Sequence, residues 1–182
     1  MSSDYNDVAE QAYNGMVTWY ASATAGKPKG YKLTPKQESE RQSWVLTAKA
    51  AADTANVEAL SGSADEKQAL WWLLQVAKFD AVTTGNAKQA VAAATQARTL
   101  ATQLLSYGAS GADADQLRLD VDRAGRIIAA NGSKSAASWA DTLGCNVADF
   151  WSPCQSGEQS NWLLWALGAA VVVWYGRKKK WF

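Results

Sequence analysis

Apolar residues recur along this chain at intervals of three and four, the spacing that lines one face of an α-helix, and strand-like alternation is scarce. The first such run predicts a helix over 3–24, with Val8, Ala12, Met16 and Tyr20 on one face and Asp4, Asp7 and Glu10 near its positive end. Gly15 weakens its middle. Thr34-Pro35-Lys36-Gln37 then reads as an N-cap, a proline at the first helical position and the return acceptor of a capping box. A second helix follows to about Leu60, facing inward with Trp44, Ala48, Ala51, Ala52 and Ala55, and Ser61-Gly62 ends it.

Ser63 with Glu66 is a second capping box and opens a third helix, whose stretch from Ala69 to Phe79 is apolar nearly all round. A helix so covered belongs at the centre of a bundle, with Trp71, Trp72, Leu74 and Phe79 in the core. Gly85-Asn86 marks the short connection of an αα-hairpin. The fourth helix, over 87–107, offers Ala90, Val91, Ala94, Ala97, Ala101, Leu104 and Leu105, a mostly small-residue face that lets a neighbour approach closely. After a break at 108–111, a fifth helix over 112–130 uses Leu117, Val121, Ala124 and Ile128, and Asn131-Gly132 stops it. A short sixth piece over 135–143 turns Trp139 inward.

The expected fold class is all-α: a small antiparallel helical bundle over 1–144, a cysteine-bracketed loop and hinge over 145–160, and a single C-terminal transmembrane helix with a basic tail over 161–182. The last segment dominates the functional reading. From Trp162 to Gly176 there are fifteen residues without a charge, a helix of roughly 22 Å against a hydrocarbon core of ~30 Å. Counting from Asn161 to Lys180 gives about 30 Å, because a lysine at the edge lifts its ammonium to the headgroups. Trp162 and Trp165 at one end, with Trp174, Tyr175 and Trp181 at the other, suit the two interfaces. Gly168 offers a small-residue face for a second helix. Arg177, Lys178, Lys179 and Lys180 form a topological stop, and also a place where the phosphate of anionic lipid or nucleic acid is held without sequence readout.

Net charge sharpens this picture. The chain carries +1 overall, and the four cations of the tail leave fourteen basic against seventeen acidic residues upstream, a body at −3. That argues against a nucleic-acid surface spread over the body. Its most basic stretch is the predicted loop after the first helix, with Lys27, Lys29, Lys32 and Lys36 around Tyr31: a solvated loop, or a contact for anionic headgroups, nucleic acid or an acidic partner. No basic n-region precedes an apolar core near Met1, so no cleavable signal is expected. An anchor that emerges last leaves the body on the side of synthesis while the tail crosses, against the usual preference for cytoplasmic Lys and Arg.

Candidate chemistry is sparse. The chain has no histidine, which removes Ser-His-Asp and Cys-His nucleophile systems and the common histidine metal sites. Neither a Walker loop nor a GxGxxG occurs. Glu38 and Glu40 fall two apart and cannot share a helix face, as do Asp113 and Asp115, while Asp120 and Asp122 alternate with Arg118 and Arg123 as a solvated face would. Cys145 and Cys154 close a short disulfide loop in an oxidising compartment and are two thiols otherwise. No cofactor is expected. The apolar end before basic residues is similar to the tail of Gram-positive sorting substrates, but no Leu-Pro-x-Thr-Gly precedes it.

The expectation is a non-enzymatic, single-pass membrane-anchored structural or assembly protein. Its partners would be the lipid bilayer, other protein subunits including copies of itself, and non-specific nucleic acid or anionic lipid at the tail. Such an organisation would suit a minor membrane protein or an ejection protein of a bacteriophage virion. Alternatives are a membrane-active effector, a lysis or exclusion factor oligomerising through its span, and a membrane-tethered glycan hydrolase drawing on Glu38 or Glu66.

Overall fold

The computed structural model describes residues 2–28 and 31–132. Over these the chain is all-helical, with α1 at Ser2–Thr24, α2 at Pro35–Glu58, α3 at Ala64–Thr83, α4 at Ala87–Ser106 and α5 at Gly111–Gly132. The predicted sixth piece, the cysteine loop and the transmembrane helix lie outside the described residues. Among those that are described, no helix is long and apolar enough to cross a membrane.

The helices begin where side chains satisfy the first free backbone N–H groups. The Thr34 hydroxyl accepts the Gln37 N–H at 3.3 Å, and Gln37 Oε1 accepts the Thr34 N–H at 3.0 Å, so the first capping box closes as expected, with Pro35 behind it. The second is displaced by one residue. Ser63 Oγ accepts the Glu66 N–H at 3.1 Å, but the Glu66 carboxylate reaches past Ser63 to the Gly62 N–H at 2.5 Å. Asn86 Oδ1 accepts from the N–H groups of Lys88 and Gln89 at 3.0 and 3.2 Å and starts α4. Tyr107 is the C-cap of α4 rather than its last residue, and Gly108, at φ +85°, turns the chain away.

Each connection reverses direction, so α1, α3 and α5 run one way and α2 and α4 the other. Cross-links between distant residues fix that sense. Asn6 Nδ2 donates to the Asp65 carbonyl at 3.1 Å, joining the starts of α1 and α3. Arg41 meets Asp80, joining the start of α2 to the end of α3, and Lys67 Nζ donates to the Tyr107 carbonyl at 3.2 Å, joining the start of α3 to the end of α4. The central helix is α3: it packs on α1, α2 and α4, while α1 lies against α2 and α4 against α5. Its residues from Trp72 to Phe79 are buried without interruption, as an all-round apolar helix requires.

Two phases differ from expectation. In α1 the inward face is Asn6, Ala9, Tyr13, Met16 and Tyr20, and Val8 is 54% exposed. The aromatic rings decide this rotation. Tyr13 tilts against Trp72 at 5.6 Å between centroids, and Tyr20 meets Phe79 edge-on at 5.4 Å, contacts that bury more surface than Val8 has to offer. In α2, Val45 faces inward and Trp44 is only half-buried, as is Trp71 in α3. Trp44 lies over Gly15, where a Cβ would stand 3.0 Å from Trp44 Cζ3. The glycine that weakens α1 locally is therefore the gap that admits the indole. In α4 the buried set is Ala90, Ala93, Ala94, Ala97, Leu100, Ala101 and Leu104; Val91 and Leu105 are half-buried.

Candidate functional site

Two groups of charged side chains are buried inside the bundle, and both were expected on its surface or went unremarked. The first ties α2, α3 and α4 together. Arg41 has no exposed side-chain surface; its guanidinium donates to Asp80 Oδ1 at 2.6 Å, to Glu38 Oε1 at 2.8 and 3.0 Å, and to Thr83 Oγ1 at 3.3 Å. Gln89 Nε2 donates to both Asp80 oxygens at 3.0 and 3.2 Å, so the carboxylate is held from two helices. Burial opposes the Arg41 charge, but the hydrogen bonds to Glu38 and Asp80 and their charges outweigh it and raise its pKa. Burial also raises the Tyr20 phenol beside this group; the Arg41 charge works against that and Glu38 adds to it.

The second group ties α5 to α3. Lys78 Nζ lies 2.6 Å from Asp120 Oδ2, with the two side chains 2% and 1% exposed, and Gln116 Nε2 donates to Asp120 Oδ1 at 3.1 Å. Burial lowers the Lys78 pKa, and the neighbouring Asp120 only partly offsets it. Asp120 was expected on a solvated face with Asp122, Arg118 and Arg123. That expectation holds for Asp122 and Arg118, which are exposed, but not for Asp120. The sequence carried a signal for it: Asp120 falls three after Leu117 and four before Ala124, on the buried line of α5.

These carboxylates are not arranged as an acid–base pair around a cleft. Glu38 sits at the end of the bundle where α2 begins and is engaged by Arg41, not by solvent alone. Glu66 sits at the opposite end, where it accepts from the Gly62 N–H and from the Tyr107 hydroxyl at 3.1 Å. An open hollow of about 620 Å³ runs beside α4, lined by Thr95, Arg98, Thr99, Thr102, Gln103, Ser106 and Ile128, and has no carboxylate in its wall. Its threonine hydroxyls donate back to their own helix, Thr95 to Val91 and Thr102 to Arg98 at 2.8 Å, and Thr99 to Thr95 at 3.1 Å. Among the described residues, no group of three or more His, Cys, Asp and Glu is placed to hold a metal ion.

The outer face of α2 is apolar where solvent is expected. Leu46 and Val57 are 66% and 78% exposed, Leu60 just beyond the helix is 81% exposed, and Ala50 falls on the same line. Asp53, seven after Leu46 and four before Val57, interrupts this line and is paired with Lys49 at 2.5 Å. This line is opposite the buried residues Arg41, Val45, Ala48, Ala52 and Ala55. The residues read from the sequence as anchor, Trp162, Trp165, Gly168, Trp174, Tyr175 and Trp181, lie outside the described residues, as do Arg177, Lys178, Lys179, Lys180, Cys145 and Cys154. Compared with protein-family models, curated proteins and solved structures, the chain matches none.

Proposed function

We propose that this chain is a non-enzymatic assembly protein, held on a bilayer by a single C-terminal span and using its helical body to dock other protein subunits. The observation that carries the reading is the exposed apolar set of Leu46, Ala50 and Val57 on the outer face of α2, with Leu60 just beyond its end. Single exposed apolar residues need no explanation, but Leu46, Ala50 and Val57 share one face of the helix, and this patch, broken by Asp53, is of a kind that a partner helix covers. The placement of the buried charges supports the same reading. Arg41, Asp80, Lys78 and Asp120 lock helices to one another and offer no open carboxylate pair for glycan cleavage. The bilayer part rests on the uncharged run from Trp162 to Gly176 with its aromatic edges and basic end. A virion membrane is a setting that such an organisation would suit.

Two measurements test it. Deleting 161–182 should move the protein from a carbonate-resistant membrane pellet to the supernatant; extraction of the intact chain by carbonate overturns the anchor. A photo-crosslinking residue at position 46 should give discrete protein adducts in native membranes that V57E abolishes, while the same probe at position 98 on α4 gives none. Adducts that are absent, or indifferent to V57E, overturn docking through α2.

A further inference from the structure

The alternation of helix directions sorts the charges of the body to its two ends. One end gathers the finish of α1, the start of α2, the finish of α3, the start of α4 and the finish of α5. Gln37 Nε2 reaches the Ala23 carbonyl there at 3.4 Å, Arg41 reaches Asp80, and Ala81, Val82, Ala90, Ala94 and Ile127 pack in one cluster. This end carries Lys27, Lys32, Lys36 and Lys88, all exposed, and among the described residues none of them pairs with a carboxylate. Lys27 Nζ instead stands 5.4 Å from the centroid of the Tyr31 ring, and the Tyr31 hydroxyl is fixed by Gln37 Oε1 at 3.0 Å. Two of the acidic groups here, Glu38 and Asp80, are spent on Arg41, while Glu40 and Asp122 lie a turn or more back from the tip. The opposite end is acidic: Asp7, Glu58, Asp65, Glu66, Asp113 and Asp115 stand there against Lys67 and Arg118.

Gly132, the last described residue of α5, lies at the basic end. We propose that the basic end, through Lys27, Lys32, Lys36 and Lys88, docks against the anionic headgroups of the same bilayer that receives the C-terminal span, standing the bundle upright with its acidic end outward. This rests on the anchored reading above and adds an orientation and a lipid class to it. Each lysine close to an anionic surface strengthens attraction about fivefold, so the four together favour docking by a factor on the order of 10³.

The test uses the full chain with both native cysteines replaced (C145S/C154S), reconstituted in phosphatidylcholine vesicles with or without about 30 mol % phosphatidylglycerol to set the surface charge. A fluorophore is placed at the basic end by G85C, where added atoms meet open space, or at the acidic end by S110C, which is exposed. Headgroup-labelled nitroxide lipid quenches whichever probe lies at the surface. Quenching at position 85 and not at 110 is expected, only with phosphatidylglycerol, and it should fade in about 0.5 M salt, where screening shortens to a few ångströms. The K27Q/K32Q/K36Q/K88Q variant should reduce it to the level of neutral vesicles. Equal quenching at the two positions overturns the proposal, as does quenching at 85 that ignores lipid charge and salt. Binding of an oligonucleotide without quenching at 85 assigns the end to nucleic acid and also overturns it. Failure of the anchor is a separate result: a chain that carbonate strips from vesicles but still shows salt-sensitive quenching at 85 keeps the docking and loses the span. A carbonate-resistant chain with no difference between the two positions does the reverse.

Discussion

Consider replacing Asp120 by leucine while leaving Lys78 in place. The ammonium keeps its burial and loses the carboxylate 2.6 Å away. Breaking one side of a buried pair in this way costs about 3–5 kcal/mol, whereas replacing both sides with apolar groups is often neutral. An independent ceiling comes from proton release. Discharging an ammonium of ordinary pKa 10.5 costs about 5 kcal/mol at pH 7 and about 2 kcal/mol at pH 9, so the loss cannot exceed those values. The sign follows from proton counts: in D120L burial lowers the Lys78 pKa with no carboxylate to offset it, while the unfolded state keeps the proton up to the ordinary 10.5, so the folded state binds fewer protons and stability rises with pH. D120L should therefore lie about 3–5 kcal/mol below K78M/D120L at pH 7, with the gap falling to about 2 kcal/mol or less at pH 9. The leucine is common to both variants, so the difference isolates the ammonium. Pulse proteolysis of the full chain in detergent across a urea series reads both values. A gap below about 1 kcal/mol at pH 7, or one unchanged at pH 9, would show that Lys78 is not the buried charge described above.

Three further outcomes follow from the packing. G15L should push Trp44 out of its seat and lower stability by about 1–3 kcal/mol, whereas G125A, in an open position of α5, should raise it by about 0.5–1 kcal/mol; thermal melts of equal direction would contradict this. R41K keeps the charge but cannot hold Glu38 and Asp80 together, and should lose about 2–3 kcal/mol in urea titration. Lysine performing as well as arginine would mean that the fork geometry is irrelevant. T34A removes the hydroxyl that accepts the Gln37 N–H and should cost about 1 kcal/mol, read as faster amide exchange in the first turn of α2.

Helix ends were the most legible part of this fold, because caps are local chemistry: Thr34 with Gln37 and Asn86 at the start of α4 act over three or four residues and need no tertiary partner. The centrality of α3 was legible for a related reason, since a helix apolar on every side has no face to give to water. The buried charges were not. Arg41 and Asp120 interrupt otherwise apolar lines, and a charge on such a line reads as a boundary unless its partner is known; Asp80 and Lys78 lie about forty residues away in the chain. The phase of α1 failed for a different reason. Val8 looked like a core residue by size, but Tyr13 and Tyr20 set the rotation through contacts with Trp72 and Phe79 that belong to another helix.

The up-and-down order of the helices also sets a clock. Neighbours in sequence are neighbours in space, a pattern of mostly local contacts that folds in microseconds to milliseconds. Fifty residues separate Gly132 from Phe182, and a ribosome adding about 5–20 residues per second needs seconds to make them. The five helices thus have time to close before the apolar run near the C-terminus exists, and a closed bundle has to be unfolded again before it can be threaded through a membrane. For a chain anchored as proposed, the order of synthesis then favours leaving the bundle, already a solid, on the side where it was made.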